Sequence, residues 1–127
     1  MSTARHTIPA DASLPDQQLN QQILSGDALG AFERFYADNV VMQENEEAPR
    51  KGKETNRKFE KEFFDTVEQL HGGKVLGSAV NGETSFSEWE YDVTFKGGPR
   101  ITLKQVSVRR WSNGKVVHEK FYYNKAA

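Results

Sequence analysis

Hydrophobic and polar residues alternate over the last third of the chain, from Ser85 to Asn124. The alternating runs are rich in β-branched and aromatic residues, and glycine-bearing segments at 96–100 and 111–115 separate them. Alternation with a period of two residues is typical of strands with one buried face, and the glycine-bearing segments are typical of hairpin turns. The pattern therefore predicts three antiparallel strands joined by two turns.

The turn at Asn113-Gly114 decides which side chains of the last strand face the core. An Asn-Gly pair fits a two-residue type I′ turn or a type I turn followed by a glycine bulge. The two turns differ by one residue in register, and such a shift moves every side chain of a strand to the opposite face. The bulged turn would place Trp111 opposite Lys115 and Ser107 opposite Glu119. We predict the bulged turn because it separates apolar from charged residues.

This register gives the predicted sheet two faces of different character. The outer face is charged and carries Glu88, Glu90, Asp92, Lys104, Arg110, His118 and Lys120. The inner face is largely apolar and carries Trp89, Tyr91, Val93, Phe95, Ile101, Leu103, Trp111, Val117, Phe121 and Tyr123. The inner face also holds four polar residues, which are Gln105, Ser107, Arg109 and Glu119.

These inward polar residues have two interpretations. A buried carboxylate costs several kcal/mol unless it is paired or protonated, and a buried amide needs hydrogen-bond partners. A cavity with water or a ligand would satisfy both groups. Alternatively, Arg109 and Glu119 simply pair with each other at the rim of the sheet. The sequence leaves both interpretations open.

Helical periodicity predicts three helices before the sheet. The first begins at Ser13, which would cap it, with Asp16 three residues further on at the helix start. The second is capped by Asp27. The third runs from Lys53 to His71, where Gly72 and Gly73 would end it. Its predicted buried stripe is Phe59, Phe63, Val67 and Leu70, with Lys58, Glu60, Lys61 and Glu62 outside.

Short strands are predicted at 39–43 and 75–80, and residues 1–12 form a predicted flexible tail. Residues 13–127 then form a single domain. The order of elements predicts the α+β class, with about three helices packed on one face of a strongly curved antiparallel sheet.

Composition narrows the possible functions. A chain of 127 residues with a net charge of −1 fits one domain without the basic surface of a nucleic-acid binder. It has no cysteine, and His6, His71 and His118 are scattered, so we expect neither a metal nor another cofactor. No apolar run approaches the ~18 residues of a membrane span. No signal-peptide core is present, so we expect a cytoplasmic protein without a membrane partner.

Several segments resemble the SnoaL-like branch of the nuclear transport factor two superfamily. They are GD at 26–27, FYADNVV at 35–41, PRKGKE at 49–54, QV at 105–106, RWSNGKVV at 110–117 and EKFYY at 119–123. The resemblance covers nearly everything after residue 13. It implies a cystatin-like, cone-shaped roll in which the sheet wraps around the helices and a pocket lies at the open end. Many members are dimers through the outer sheet face, so a homodimer is also implied.

The superfamily includes ketosteroid isomerases and polyketide cyclases, whose catalytic base is an acidic residue just after the first strand. Glu44 falls at about that place and is one candidate base. Glu119 is the other, because a desolvated carboxylate has a raised pKa that suits base catalysis near neutral pH. The isomerases stabilise an oxyanion with a tyrosine and a protonated aspartate. The matching positions here are Leu19 and the vicinity of Ser107, so that donor pair is missing.

Three functions are compatible with these features. The favoured one is a pocket for a small, mostly apolar molecule that carries a carbonyl or hydroxyl group. The predicted lining is Tyr36, Trp89, Tyr91, Gln105, Ser107, Arg109, Phe121 and Tyr123. The second is an isomerase, cyclase or hydrolase that works without a cofactor and uses Glu44 or Glu119 as general base. The third is a dimerisation or scaffold module that binds no ligand.

Overall fold

The computed structural model of the protein describes residues 11–125. In chain order its elements are α1 (Ser13–Leu24), α2 (Ala28–Phe35), β1 (Tyr36–Glu44), β2 (Arg50–Lys51), α3 (Lys53–Asp65), β3 (Val67–Asn81), β4 (Thr84–Phe95), β5 (Arg100–Ser112) and β6 (Lys115–Tyr123). Residues 1–10 of the predicted tail lie outside the described residues. Ala12, which the prediction also placed in the tail, is buried and donates its N–H to the Gly82 carbonyl at 3.0 Å.

The six strands form one sheet in the order β2-β1-β6-β5-β4-β3, and the sheet is not closed. The predicted α+β class with three helices is confirmed. The sheet is mixed, however, because β1 and β6 pair in parallel while all other neighbours are antiparallel. The predicted antiparallel arrangement holds for the other four pairs but not for this one. Hairpin turns force antiparallel pairing, and β1 and β6 are instead joined through most of the domain.

The turn between β5 and β6 has two residues, so the predicted bulged turn is wrong. Ser112 pairs with Lys115, and Asn113 and Gly114 both have positive φ, at 52° and 75°. Two successive positive φ values are the signature of a type I′ turn, which Asn-Gly favours.

The predicted faces of β6 are nevertheless largely correct, because a β-bulge follows the turn. Trp111 pairs with Val116, but the next residue, Arg110, pairs with His118, which leaves Val117 as an extra residue. One extra residue restores the alternation that the two-residue turn had shifted. Glu119 therefore lies directly opposite Arg109 and is buried.

The predicted third helix is too long by six residues. Helix α3 ends at Asp65, and the Thr66 hydroxyl donates to the Phe63 carbonyl at 2.6 Å. The chain then enters β3, a 15-residue strand that contains the predicted strand 75–80 as well as Val67, Leu70 and His71. Of the two glycines that resembled a helix stop, Gly73 has another role here. A Cβ on Gly73 would lie 2.9 Å from the Tyr91 ring, so glycine lets that ring pack against β3.

The helix caps follow the prediction in one case out of two. The Asp27 side chain accepts the Gly30 N–H at 3.0 Å and caps α2 as predicted. Ser13 does not cap α1, because the cap position is Ala12 and Asp11 accepts the Ser13 N–H at 2.9 Å.

No helix within residues 11–125 is long and apolar enough to cross a membrane.

Candidate functional site

A cavity of about 660 Å³ is lined by residues of all three helices and of β1, β3, β4, β5 and β6. The ten residues that the sequence predicted for the site all contribute to its lining. They are Tyr36, Glu44, Trp89, Tyr91, Gln105, Ser107, Arg109, Glu119, Phe121 and Tyr123. The inward face of the sheet and the apolar faces of the helices therefore converge on one space.

Most of the cavity wall is apolar and aromatic. Helix α3 contributes Phe59, Phe63 and Phe64, and the Phe63 ring lies 6.0 Å from that of Phe95, in an edge-on arrangement. On β4 the rings of Trp89 and Tyr91 are stacked, with centroids 5.5 Å apart and an interplanar angle of 8°. These flat surfaces suit the apolar part of a small molecule.

Glu119 is the centre of a buried hydrogen-bond network. Its carboxylate accepts hydrogen bonds from the Tyr36 hydroxyl, from Ser107 Oγ at 2.5 Å and from Arg109 Nε at 2.8 Å. Burial and the charge of Glu119 hold the pKa of Tyr36 well above its usual value, so Tyr36 remains a donor at all ordinary pH values. Three donors therefore satisfy this buried carboxylate.

Arg109 connects the Glu119 network to helix α1. Its Nη1 donates to Asp16 Oδ1 at 2.8 Å and to Asn20 Oδ1 at 2.6 Å. Asp16, Arg109 and Glu119 are each no more than 2% exposed, so the ion pair is buried rather than at the rim of the sheet. Burial alone would lower the pKa of Arg109. The carboxylates of Glu119 and Asp16 and the Tyr36 hydroxyl outweigh this effect and raise the pKa above its usual value, so the guanidinium stays charged.

Glu44 pairs with Arg50 on the short neighbouring strand. Arg50 Nη2 lies 2.7 Å from Glu44 Oε2, and Arg50 Nε donates to Asn56 Oδ1 at 3.1 Å. The Arg50 guanidinium also lies 3.6 Å from the centre of the Phe59 ring. Burial raises the pKa of Glu44, while Arg50 opposes that rise. The first candidate base is therefore a half-buried carboxylate with one cationic partner.

Glu60 is a cavity residue that the sequence interpretation placed outside. It lines the cavity from α3, is only partly exposed, and makes no hydrogen bond or ion pair with any residue in the range 11–125. Burial and the nearby charges of Glu119 and Glu44 raise its pKa to about 7. Its position was available from helical spacing, because Glu60 precedes Phe63 by three residues and Phe64 by four.

Asp16 and Asn20 were also missed, although both lie on the buried face of α1. They are four residues apart and flank Leu19, which is fully buried. Polar residues on the same helical face as an apolar stripe were the available signal. Asp16 was instead interpreted only as part of the helix start.

The positions that match the isomerase donors also lie at the cavity wall. Leu19 and Ser107, which match the isomerase donor positions, both line the cavity, and Ser107 donates to Glu119. The indole N–H of Trp89 is buried and has no partner among the described residues.

Within residues 11–125 no group of three histidine or acidic side chains could hold a metal ion.

The family profile of the SnoaL-like domain matches residues 28–123. The chain belongs to the SnoaL-like family. Its match therefore includes β1, α3 and every strand that lines the cavity, whereas Asp16 and Asn20 of α1 precede it. The resemblance stated from short motifs is thereby confirmed.

Solved structures with the same fold agree with this assignment. A candidate SnoaL-like polyketide cyclase from Mesorhizobium loti is 30% identical, with a TM-score of 0.79, covering 90% of this SnoaL-like chain and 100% of that one. An NTF2-like protein of unknown function from Burkholderia pseudomallei is 16% identical, with a TM-score of 0.78 and coverage of 91% and 92%. A candidate polyketide cyclase from Xanthomonas campestris is 18% identical, with a TM-score of 0.74 and coverage of 89% and 90%. The search of curated proteins finds no match.

Proposed function

We propose that this SnoaL-like protein binds a small, mostly apolar molecule in the cavity between the helices and the sheet. The observation that carries the proposal is the cavity itself, whose volume of about 660 Å³ lies in the usual range for small-molecule sites, roughly 300–1,000 Å³. Its aromatic walls would hold the apolar part of the molecule. A packed interior without this space would have supported the scaffold function instead.

The polar groups on the cavity wall would orient the bound molecule. Trp89 is 1% exposed and its N–H has no partner among the described residues, so a carbonyl or hydroxyl oxygen of a ligand would satisfy it. Gln105, which pairs with Trp89 across the sheet, adds an amide to the same wall. These groups support a ligand that carries at least one oxygen acceptor.

Tryptophan fluorescence tests this proposal, because Trp89 lines the cavity and Trp111 lies in the core. We expect at least one class among steroids, polyketide-like aromatics, terpenoid epoxides and small carboxylic acids to change the emission saturably. The same compound should raise the melting temperature, since a ligand at about 100 times its Kd adds roughly 2.7 kcal/mol. Trp89→Phe should lose the emission change while Trp111 still reports a folded protein. No response in either assay, from a protein that melts sharply, would contradict the proposal.

A second candidate function is catalysis by a cavity carboxylate acting as general base, and Glu60 is the observation that favours it. A carboxyl with a pKa of about 7 is well matched to proton transfer near neutral pH. Glu44 has an Arg50 partner and Glu119 has three donors, so both carboxylates already have partners within the protein. If one of the ligands found above is also turned over, Glu60→Gln is expected to lower kcat by at least 100-fold.

We also propose that two copies associate through the outer face of the sheet. Phe86, Val106 and Tyr122 are between 37% and 44% exposed there, and Val106 pairs with Tyr122 across β5 and β6. Exposed apolar residues that are adjacent on a sheet favour a protein partner. Native mass spectrometry at micromolar concentration is expected to show a dimer that Val106→Glu converts to a monomer. A wild-type monomer under those conditions would contradict the proposal.

A further inference from the structure

The charged side chains at the cavity are not balanced. Arg50 is paired with Glu44, and Arg109 is shared between Asp16 and Glu119. Lys104 also borders the cavity, but it is exposed and pairs in register with Glu90 of the outer face.

Glu60 is the carboxylate that this arrangement leaves uncompensated. It makes no hydrogen bond or ion pair with residues 11–125. Burying such a charge is costly, so the site favours either a protonated Glu60 or a cation beside it.

Aromatic rings line the same space. Phe63 and Phe64 follow Glu60 by three and four residues on α3 and line the cavity with it. The stacked pair of Trp89 and Tyr91 lines the cavity from β4. The face of an aromatic ring attracts a cation, and this attraction is strongest where the cation loses water. Tertiary and quaternary ammonium groups suit such a surface because their alkyl groups pack against rings and their charge is diffuse.

We propose that the molecule bound in this cavity carries a tertiary or quaternary ammonium group, which sits beside Glu60 with its alkyl groups against the aromatic wall. The inference rests on the proposed function, since it specifies the chemistry of the ligand in the same cavity. An anionic ligand would meet an excess of carboxylates. A neutral ligand would leave the ionised Glu60 without a partner, whereas an ammonium group compensates the charge that the protein leaves open.

The pH dependence of binding separates an ammonium ligand from a neutral one. Several titratable groups share the cavity with Glu60. They are Glu44 and Tyr36 of β1, Tyr91 of β4, Lys104 and Arg109 of β5, and Glu119 and Tyr123 of β6. Arg50 of β2 pairs with Glu44, and the residues that line the cavity from α1, α2 and β3 are apolar. Burial and the charges of Glu119 and Glu44 raise the pKa of Glu60 to about 7. A permanent cation binds the ionised form of Glu60. Its affinity should therefore increase roughly tenfold from pH 6 to pH 8, in proportion to the ionised fraction.

A neutral ligand that accepts a hydrogen bond from Glu60 would show the opposite dependence. Such a ligand needs the protonated carboxyl, so its affinity would fall as pH rises through 7. A neutral hydrocarbon makes no hydrogen bond to Glu60 and should show no gain with pH. The sign of the pH dependence thus reports the charge of the group that Glu60 recognises.

The test uses a pair of probes that differ only in charge, benzyltrimethylammonium and its carbon isostere neopentylbenzene. Binding to the full chain is measured by tryptophan fluorescence and thermal shift at pH 6 and pH 8. We expect the cation to bind at least tenfold more tightly than the isostere at pH 8, and the preference to decline at pH 6. Glu60→Gln should remove most of the preference, together with its pH dependence, but retain binding of neopentylbenzene. Glu62→Gln, an exposed carboxylate on the same helix, should behave as wild type.

The outcomes distinguish failure of this inference from failure of the proposed function. If neopentylbenzene binds as tightly as the cation at pH 8, or if Glu60→Gln keeps the preference, the ammonium inference is overturned and the apolar cavity site remains. If neither probe binds to the folded protein, and none of the compound classes above binds either, both proposals are overturned.

Discussion

Replacing Arg109 with alanine is expected to destabilise the protein by about 3–5 kcal/mol at pH 7. The guanidinium is the cation shared by Asp16 and Glu119, and its removal leaves two buried carboxylates without a positive partner. Urea denaturation of wild type and variant at pH 7 measures this loss.

Arg100→Ala provides the control, because Arg100 forms a similar ion pair in an exposed place. Arg100 Nη2 lies 2.7 Å from Asp92 Oδ2, but its side chain is 61% exposed, and exposed pairs contribute only ~0–1 kcal/mol. Glu119→Gln should cost less than Arg109→Ala, since Asp16 and Arg109 would then remain as a balanced pair. Equal losses for Arg109→Ala and Arg100→Ala would show that the buried network contributes no special stability. If Arg109→Ala does not fold, Glu119→Gln and Arg100→Ala still rank the two environments.

The alternation of β4, β5 and β6 carried most of what could be predicted about the site. A buried face imposes a period of two, so the inward set that includes Trp89, Gln105, Ser107 and Arg109 followed from the pattern. The turn itself was not predictable in this way. Asn113-Gly114 permits two geometries, and the β-bulge at Val117 hides the difference, because it returns Glu119 to the inner face after a two-residue turn. The local geometry was wrong while the burial of Glu119 was right.

Helical segments were harder to interpret because charge was assumed to face solvent. Asp16 and Glu60 lie on inward faces of their helices by simple spacing, yet both were assigned to ends or outer faces. Tertiary contacts place both residues inside, because Arg109 neutralises Asp16 and an open cavity accommodates Glu60. The predicted end of α3 was wrong for a related reason. Gly72-Gly73 is typical of a helix stop, whereas in the structure both lie within β3 and the Tyr91 ring packs against Gly73.

Replacing Glu60 with glutamine is expected to stabilise the protein at high pH and to have little effect at low pH. The pKa of Glu60 is about 7 in the folded protein, against 4.5 for an unperturbed glutamate. The folded state therefore binds more protons than the unfolded state between these values, and stability falls as pH rises through this window. The cost of Glu60 is nearly absent at pH 4.5 and below, and is fully present above pH 7. Its upper limit is roughly 3 kcal/mol, and partial exposure of the carboxyl reduces it.

Chemical denaturation of wild type, Glu60→Gln and Glu62→Gln at pH 5 and pH 8 measures this cost. We expect the difference in free energy of unfolding between Glu60→Gln and wild type to grow by roughly 1–3 kcal/mol from pH 5 to pH 8. The same difference for Glu62→Gln, which replaces an exposed side chain, should not change. Comparing the two pH values cancels any pH-independent effect of the amide. Parallel stability profiles for wild type and Glu60→Gln would mean that Glu60 titrates normally. A positive result would show that the protein maintains a destabilising carboxylate in its cavity, and proteins keep such costs mainly where a ligand or a reaction uses the group.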